Sequence, residues 1–284
     1  MKRMQRGSLI VLLAAVLGVG AGADLAHATP STEFWTAATI DVQPYKVWHL
    51  GIDNYFTIGR APSSQIGTGA FATDVGLTVG VLPFEKLNLE VGIDMLEPID
   101  TMVCSGALNS GNLISQCGTV VSGLSFNFKF GIPEDAIFKG SPGIAAGMFN
   151  IGTVHQVTDM NIADLIVGKT IGNLGRIHVG GYLGSSSSAL MHEGGDLANA
   201  TKNLGYMVAY DRGFLPVKDK EGNEYNKVGL GLDYASGKNY IGGYGAGVAF
   251  YFTKDISLLT GPVVFNDQVI NGRWKWSTQL DINF

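Results

Sequence analysis

Two cysteines, a few histidines and a run of serines are the residue types here that could do covalent or metal chemistry. Cys104 and Cys117, thirteen apart, are the only cysteines. A zinc site needs a second pair of ligands, and redox pairs sit much closer in sequence. The expectation is a disulfide stapling one loop, worth ~3 kcal/mol at this loop size in the chain-entropy model. His178 and the run Ser185 to Ser188 make the nearest approach to a Ser–His pair, in which the base activates the hydroxyl. No hydrolase motif accompanies it, and a serine run is usually solvated loop. His49, His155 and His192 are the other histidines that remain after residue 28. A phosphate-binding glycine loop must follow a strand and open a helix. The glycines of Gly243-x-Gly245-x-Gly247 instead alternate with Tyr244 and Ala246, ahead of Val248, Phe250 and Phe252. That pattern suits glycines making room on the inner face of a narrow barrel. No catalytic, cofactor or metal site is expected.

The elements that would carry these residues are strands. In the last eleven residues Trp274, Trp276, Thr278, Leu280, Ile282 and Phe284 fall on one face. Lys275, Ser277, Gln279, Asp281 and Asn283 fall on the other. A period of two places successive side chains on opposite faces of a strand. Ten steps of ~3.3 Å make ~33 Å. Tilted by ~40°, that covers the ~25 Å apolar band of an outer-membrane barrel, with an aromatic at each rim. This strand, ending on Phe284, resembles the C-terminal signature of Gram-negative outer-membrane β-barrels. The resemblance implies an all-β, up-and-down antiparallel transmembrane barrel. It also implies Trp274, Trp276, Leu280, Ile282 and Phe284 facing lipid, and recognition of this strand by the barrel assembly machinery.

The beginning of the chain agrees. Lys2, Arg3 and Arg6 precede an apolar run from Leu9 to Leu17, and Ala26-His27-Ala28 is a small-x-small cleavage site. Residues 1–28 read as a cleaved signal peptide. Charged residues are 15% of the chain, and Gly accounts for 40 of 284 residues. Soluble domains average ~25% charged and about half as much Gly. Removing the signal, with three cations and Asp24, takes the net charge from −5 to −7. No basic patch suggests nucleic acid.

Residues 29–46 are set apart as a lead-in: a short strand, a periplasmic segment or a piece tucked into the lumen. Pro44 argues against a continuous ladder there. The barrel is expected over 47–284. Its twelve strands are Val47–Ile58, Phe71–Leu82, Leu87–Leu96, Thr119–Phe130, Gly143–Ile151, Ile162–Ile171, Arg176–Gly184, Asn203–Tyr210, Lys227–Ala235, Tyr240–Phe252, Ile256–Val264 and Trp274–Phe284. An even count keeps both ends on one side. The loops from Gly59, Glu97 and Ser185 are long, and the turns at Gly172 and Lys254 are tight. The connections Pro133–Pro142 and Asp211–Asn226 are long for the periplasmic side. Lys169 shares the outward face of Leu165 and Val167, near a turn where a lysine costs only ~0–1 kcal/mol.

Alternation places Asp53, Asp74, Glu90, Asp94, Asp233 and Asp281 inside, with Lys129, Lys227, Arg273 and Lys275. Six acids against four bases describe a narrow polar pore with a slight acidic excess. The competing reading is that these charges pair across a blocked lumen. Small polar solutes or ions are the expected cargo, and outer-membrane lipids the surroundings. Cys104 and Cys117 should both resist a thiol reagent in protein taken from the membrane, and both should label after reduction.

Overall fold

The computed structural model describes residues 32–59, 73–97, 123–155, 158–195, 197 and 203–284. Cys104 and Cys117 lie outside the described residues. Twelve strands follow one another: β1 (Trp48–Gly59), β2 (Thr73–Gly80), β3 (Asn88–Glu97), β4 (Leu124–Ile132), β5 (Gly143–Gly152), β6 (Asp159–Thr170), β7 (Arg176–Leu183), β8 (Leu204–Lys218), β9 (Glu224–Ala235), β10 (Gly243–Tyr251), β11 (Ile256–Phe265) and β12 (Trp274–Asn283). Each pairs antiparallel with its neighbour, and β1 pairs with β12, so the sheet closes. The closing ladder runs from His49 opposite Asn283 to Thr57 opposite Lys275. Trp48 and Phe284 complete it by exchanging two backbone hydrogen bonds of 2.9 Å. The expected all-β, twelve-stranded barrel is the fold observed.

The barrel is inside out relative to a soluble protein. On β12, Lys275, Ser277, Gln279 and Asp281 are at most 2% exposed, whereas Trp276 between them is 41% exposed. On β3, Val91, Ile93 and Met95 are exposed while Glu90 is buried. Phe126, Phe128 and Phe130 repeat the pattern on β4, as do Ile177, Val179 and Leu183 on β7. A continuous exposed apolar belt is unstable in water and suits a hydrocarbon surrounding.

Both ends of the barrel wall, Trp48 and Phe284, lie at what we call the near end. Near-end turns span four to ten residues. The longest stretches between strands, including 60–72 and 184–203, join strand ends of the far side. One near-end turn is shorter than its sequence suggests. Charged residues make 211–226 read as a loop, but β8 continues to Lys218 and β9 begins at Glu224. Pairs from Arg212 with Leu230 to Lys218 with Glu224 join them. Asp211 is 2% exposed, because its carboxylate faces Arg176 and His178 and not solvent. Lys169 takes the outward face with Leu165 and Val167, and its Nζ reaches Glu134 Oε2 at 2.8 Å in the near-end turn. Burial pushes the Glu134 carboxyl up. The hydrogen bonds from Lys169 and Thr170 outweigh that and hold it below its ordinary value.

At the far end the connections fold inward. Leu190, Met191, Tyr240, Ile241 and Ile270 pack on Met160, Ile162, Ile166 and Met207 in one apolar cluster. Tyr240 to Gly242 belong to this cap, which is why β10 starts only at Gly243.

The register puts Leu280 opposite Ile52 and Leu258 on the outward face. Leu280→Arg should therefore lower stability in lipid vesicles by ~2–4 kcal/mol. Leu174→Arg, in the β6–β7 turn, should cost under ~1 kcal/mol. Denaturant titration of the refolded variants checks the difference. Gln279 does not serve as the tolerant inward control its polarity suggests, because its amide donates to Phe34 O at 2.7 Å inside the barrel.

Candidate channel lumen

The segment preceding β1 lies inside the barrel. Tyr45 makes a single bridge to Gly80 at the near end, and from there residues 44 to 32 climb the lumen. Pro44 stops this from becoming a thirteenth strand. An irregular backbone away from water must have its polar groups satisfied. Here the barrel wall does it with side chains. Asp233 Oδ2 accepts from the amides of Phe34 (3.1 Å), Trp35 (2.7 Å) and Thr36 (2.6 Å). Glu90 Oε2 accepts from Gln43 N at 2.7 Å, and His178 Nδ1 from Ile40 N at 3.3 Å.

Charge pins the same segment. Arg176 shares its Nε–H between the two oxygens of Asp211 on β8 at 3.0 Å, and from Nη1 and Nη2 it donates two 2.7 Å bonds to the Asp41 carboxylate of the segment. Such forked pairs combine strength with fixed geometry. Shape completes the fit. A Cβ on Gly245 or Gly247 would run into the Phe34 ring, and one on Gly168 or Gly143 into Ile40. The glycine alternation on β10 is the seat of one buried phenylalanine. Trp35 meets the rings of Tyr55, Tyr240 and Phe265 at 5.4, 5.7 and 4.9 Å.

The upper part of the segment leans on β7 to β12 and does not fill the other side of the lumen. There a cavity of about 120 Å³ is lined by Asp53, Asp74, Glu90, Asp94, Asp164 and Asp281, with Lys129, His49 and Asn127. Thr32 and Ala37 of the internal segment form part of its wall. Glu90 is directly opposite Lys129 on the β3–β4 ladder, a complementary pair. Asp53 is directly opposite Asp74, a repulsive one. Asp281 receives Ser257 Oγ at 3.2 Å and lies 3.6 Å from His49 Nε2.

The charges expected inside thus divide. Asp53, Asp74, Glu90, Asp94, Lys129 and Asp281 line the cavity. Asp233 turns its Oδ2 to the internal segment, and Lys275 is 1% exposed with its Nζ 5.9 Å from the Phe265 ring. Lys227 and Arg273 are exposed and do not join the cavity. At Lys227 the cause is local. Leu215, across the ladder, has φ 58°, and Asn226 turns inward against Gly213 in its place. Of the outward set, Trp276 and Phe284 are exposed, and Trp274, Leu280 and Ile282 are partly exposed. Alternation on β6 with Leu165 and Val167 outward would have found Asp164. Asp41, Arg176 and Asp211 gave no such signal, because their pairing is tertiary.

His178 is fully buried and its Nε2 bonds Asp211 Oδ2 at 2.9 Å, with no serine hydroxyl on either nitrogen. Ser187 Oγ instead donates to Asp159 Oδ2 at 2.9 Å, which also meets His155 Nδ1 at 3.0 Å. The carboxylate sits between hydroxyl and imidazole, so the histidine cannot take the serine proton. Glu33, His178 and Asp211 bring metal-ligating atoms within 4.8 Å of one another, but Arg176 already occupies Asp211.

No protein-family model matches the chain, and no curated protein matches it in sequence. Among solved structures it is similar to the KdgM porin, at 7% identity and a TM-score of 0.43, covering 84% of this chain and 99% of that one. A substituted porin of Rhodopseudomonas blastica is similar at 10% identity and a TM-score of 0.37. That match covers 79% of this chain, which spans only 58% of the porin. At these scores neither bears on function, which has to be read from the lumen.

The seat of Phe34 can be tested in a chain with Cys104 and Cys117 changed to Ser and Ala38 to Cys. Ala38 is fully buried, so Ala38→Cys should label slowly. Adding Gly247→Leu, which fills the seat, should raise the labelling rate by an order of magnitude or more, roughly the effect of ~1.4 kcal/mol in the opening equilibrium.

Proposed function

We propose that this protein is exported to the Gram-negative outer membrane and acts there as a narrow channel for small cations and polar solutes. Residues 1–28 are removed on export, and the terminal strand with Phe284 presents the chain to the barrel assembly machinery. Outer-membrane lipids cover the belt that includes Trp276 and Leu280. The path runs through the side of the lumen that the internal segment leaves open. The observation that carries this reading is the lining of that side: six carboxylates against one lysine. In a confined low-dielectric passage such an excess attracts cations and repels anions. The preference should weaken as salt shortens the screening length, ~10 Å at 0.1 M.

A second reading, a closed barrel with a structural filling, draws on the internal segment's own bonds to Asp233, Arg176 and Glu90. Planar-bilayer recordings under a salt gradient separate the two. The channel reading expects small, cation-favouring currents from the full mature chain. Asp74→Asn with Asp94→Asn should move the reversal potential towards anions. Deleting residues 32–43 should raise conductance severalfold. Silence from the full chain with large currents from the deletion would establish the closed barrel.

A further inference from the structure

Charge excess alone does not say what balances it, but three atoms in the open side of the lumen do. Among the described residues, Asp74 Oδ1, Asn127 Oδ1 and Asp164 Oδ2 are buried and have no hydrogen-bond partner. All three residues line the one cavity. Asp164 is 9% exposed, and its other oxygen already accepts from Gly147 N at 2.9 Å. Every one of these atoms is an acceptor, so what completes them must bring positive charge or donors.

The register sharpens the demand. Asp53 and Asp74 face each other directly, where Cβ atoms of cross-strand pairs stand ~5 Å apart. Asp94 is opposite Gly76, a diagonal neighbour of Asp74, and leans over the space where a Cβ of Gly76 would be. Neighbouring like charges destabilise a sheet unless a counter-charge lies between them. Lys129 stands opposite Glu90 on the ladder, and its Nζ donates to Asp41 O of the internal segment at 3.4 Å.

We infer that this cavity binds a divalent cation through its water shell, between Asp53, Asp74 and Asp94 on one wall and Asp164 on the other. Direct ligation does not fit. Among the described residues, the one group whose ligating atoms lie within 4.8 Å of each other is Glu33, His178 and Asp211, elsewhere in the lumen. Acceptors spread more widely suit an ion that keeps its waters, as Mg²⁺ does, with those waters donating to the carboxylates. The cavity, at about 120 Å³, has room for several waters. The inference deepens the channel reading, since the ion would sit on the conducting path.

The probe is hexaamminecobalt(III), whose inert shell permits only outer-sphere binding, applied to the full mature chain folded in detergent at pH 7. Equilibrium dialysis should show saturable binding of one ion per barrel, displaced by Mg²⁺. Asp74→Asn with Asp94→Asn should weaken it at least ~tenfold, the loss of ~1.4 kcal/mol or more. Asp219→Asn, on the exposed β8–β9 turn, should leave it unchanged. If the double variant does not fold, Asp164→Asn alone should weaken binding in the same direction. No saturable binding by the folded chain, or equal binding by folded variants, would overturn the inference. Because the measurement needs no membrane, binding without current removes the channel and keeps the site. Current without binding does the reverse.

Discussion

A sheet placed in hydrocarbon must have no edge. Each unpaired backbone group there costs several kcal/mol, and only a closed ladder removes them all. In this chain the closure is the β1–β12 ladder, finished by the exchange between Trp48 and Phe284. Much follows from that ring of bonds. Side chains on the outside meet lipid and are mostly aliphatic or aromatic. Those on the inside face a lumen whose girth is set by twelve strands, which is more than their own side chains fill. Whatever occupies the remaining space decides what the barrel can do.

The two sides of the lumen settle this differently. One side is filled by residues 32–43, and it is filled the way a protein core is. Phe34 enters a seat cleared by Gly245 and Gly247, and Trp35 stacks edge-on against its aromatic neighbours. The polar cost of burying an unpaired backbone falls on wall acids. Asp233 and Glu90 stand where a strand would have offered carbonyls, and they accept the amides of Phe34, Trp35, Thr36 and Gln43. An acidic residue in a barrel wall is therefore not automatically a pore charge. Asp233 reads identically to Asp94 in alternation, yet one holds a segment in place and the other faces the cavity.

That distinction marks the limit of what was legible in the sequence. Period-two alternation gave every strand, because in a one-layer wall between lipid and lumen each residue's partner medium depends only on parity. Trp276 outward and Lys275 inward could be read without any tertiary knowledge. Parity failed where the backbone breaks it, at Leu215, whose positive φ exposes Lys227 and turns Asn226 inward. Charge as a loop signal failed on β8, where Asp211 is buried by a salt bridge to Arg176. The internal segment could be set apart from the barrel by Pro44, but not placed. Its bonds join Asp41 to Arg176 across 135 positions, and no local pattern encodes such a contact.

The open side of the lumen carries the functional weight because it is not satisfied in the same way. Within one sheet, Glu90 is set against Lys129, while a short distance up the wall Asp53 is set against Asp74 with Asp94 beside them. A wall whose inner charges served only to fill space could have used the complementary pair throughout, and opposed pairs of that kind stabilise a sheet. Three carboxylates on adjacent strands, with the orphaned Asp74 Oδ1 among them, oppose the stability of the empty barrel. Such local conflicts are expected where a site is organised around something that arrives from outside. The cation proposed for this cavity is an arrival whose charge would relieve them.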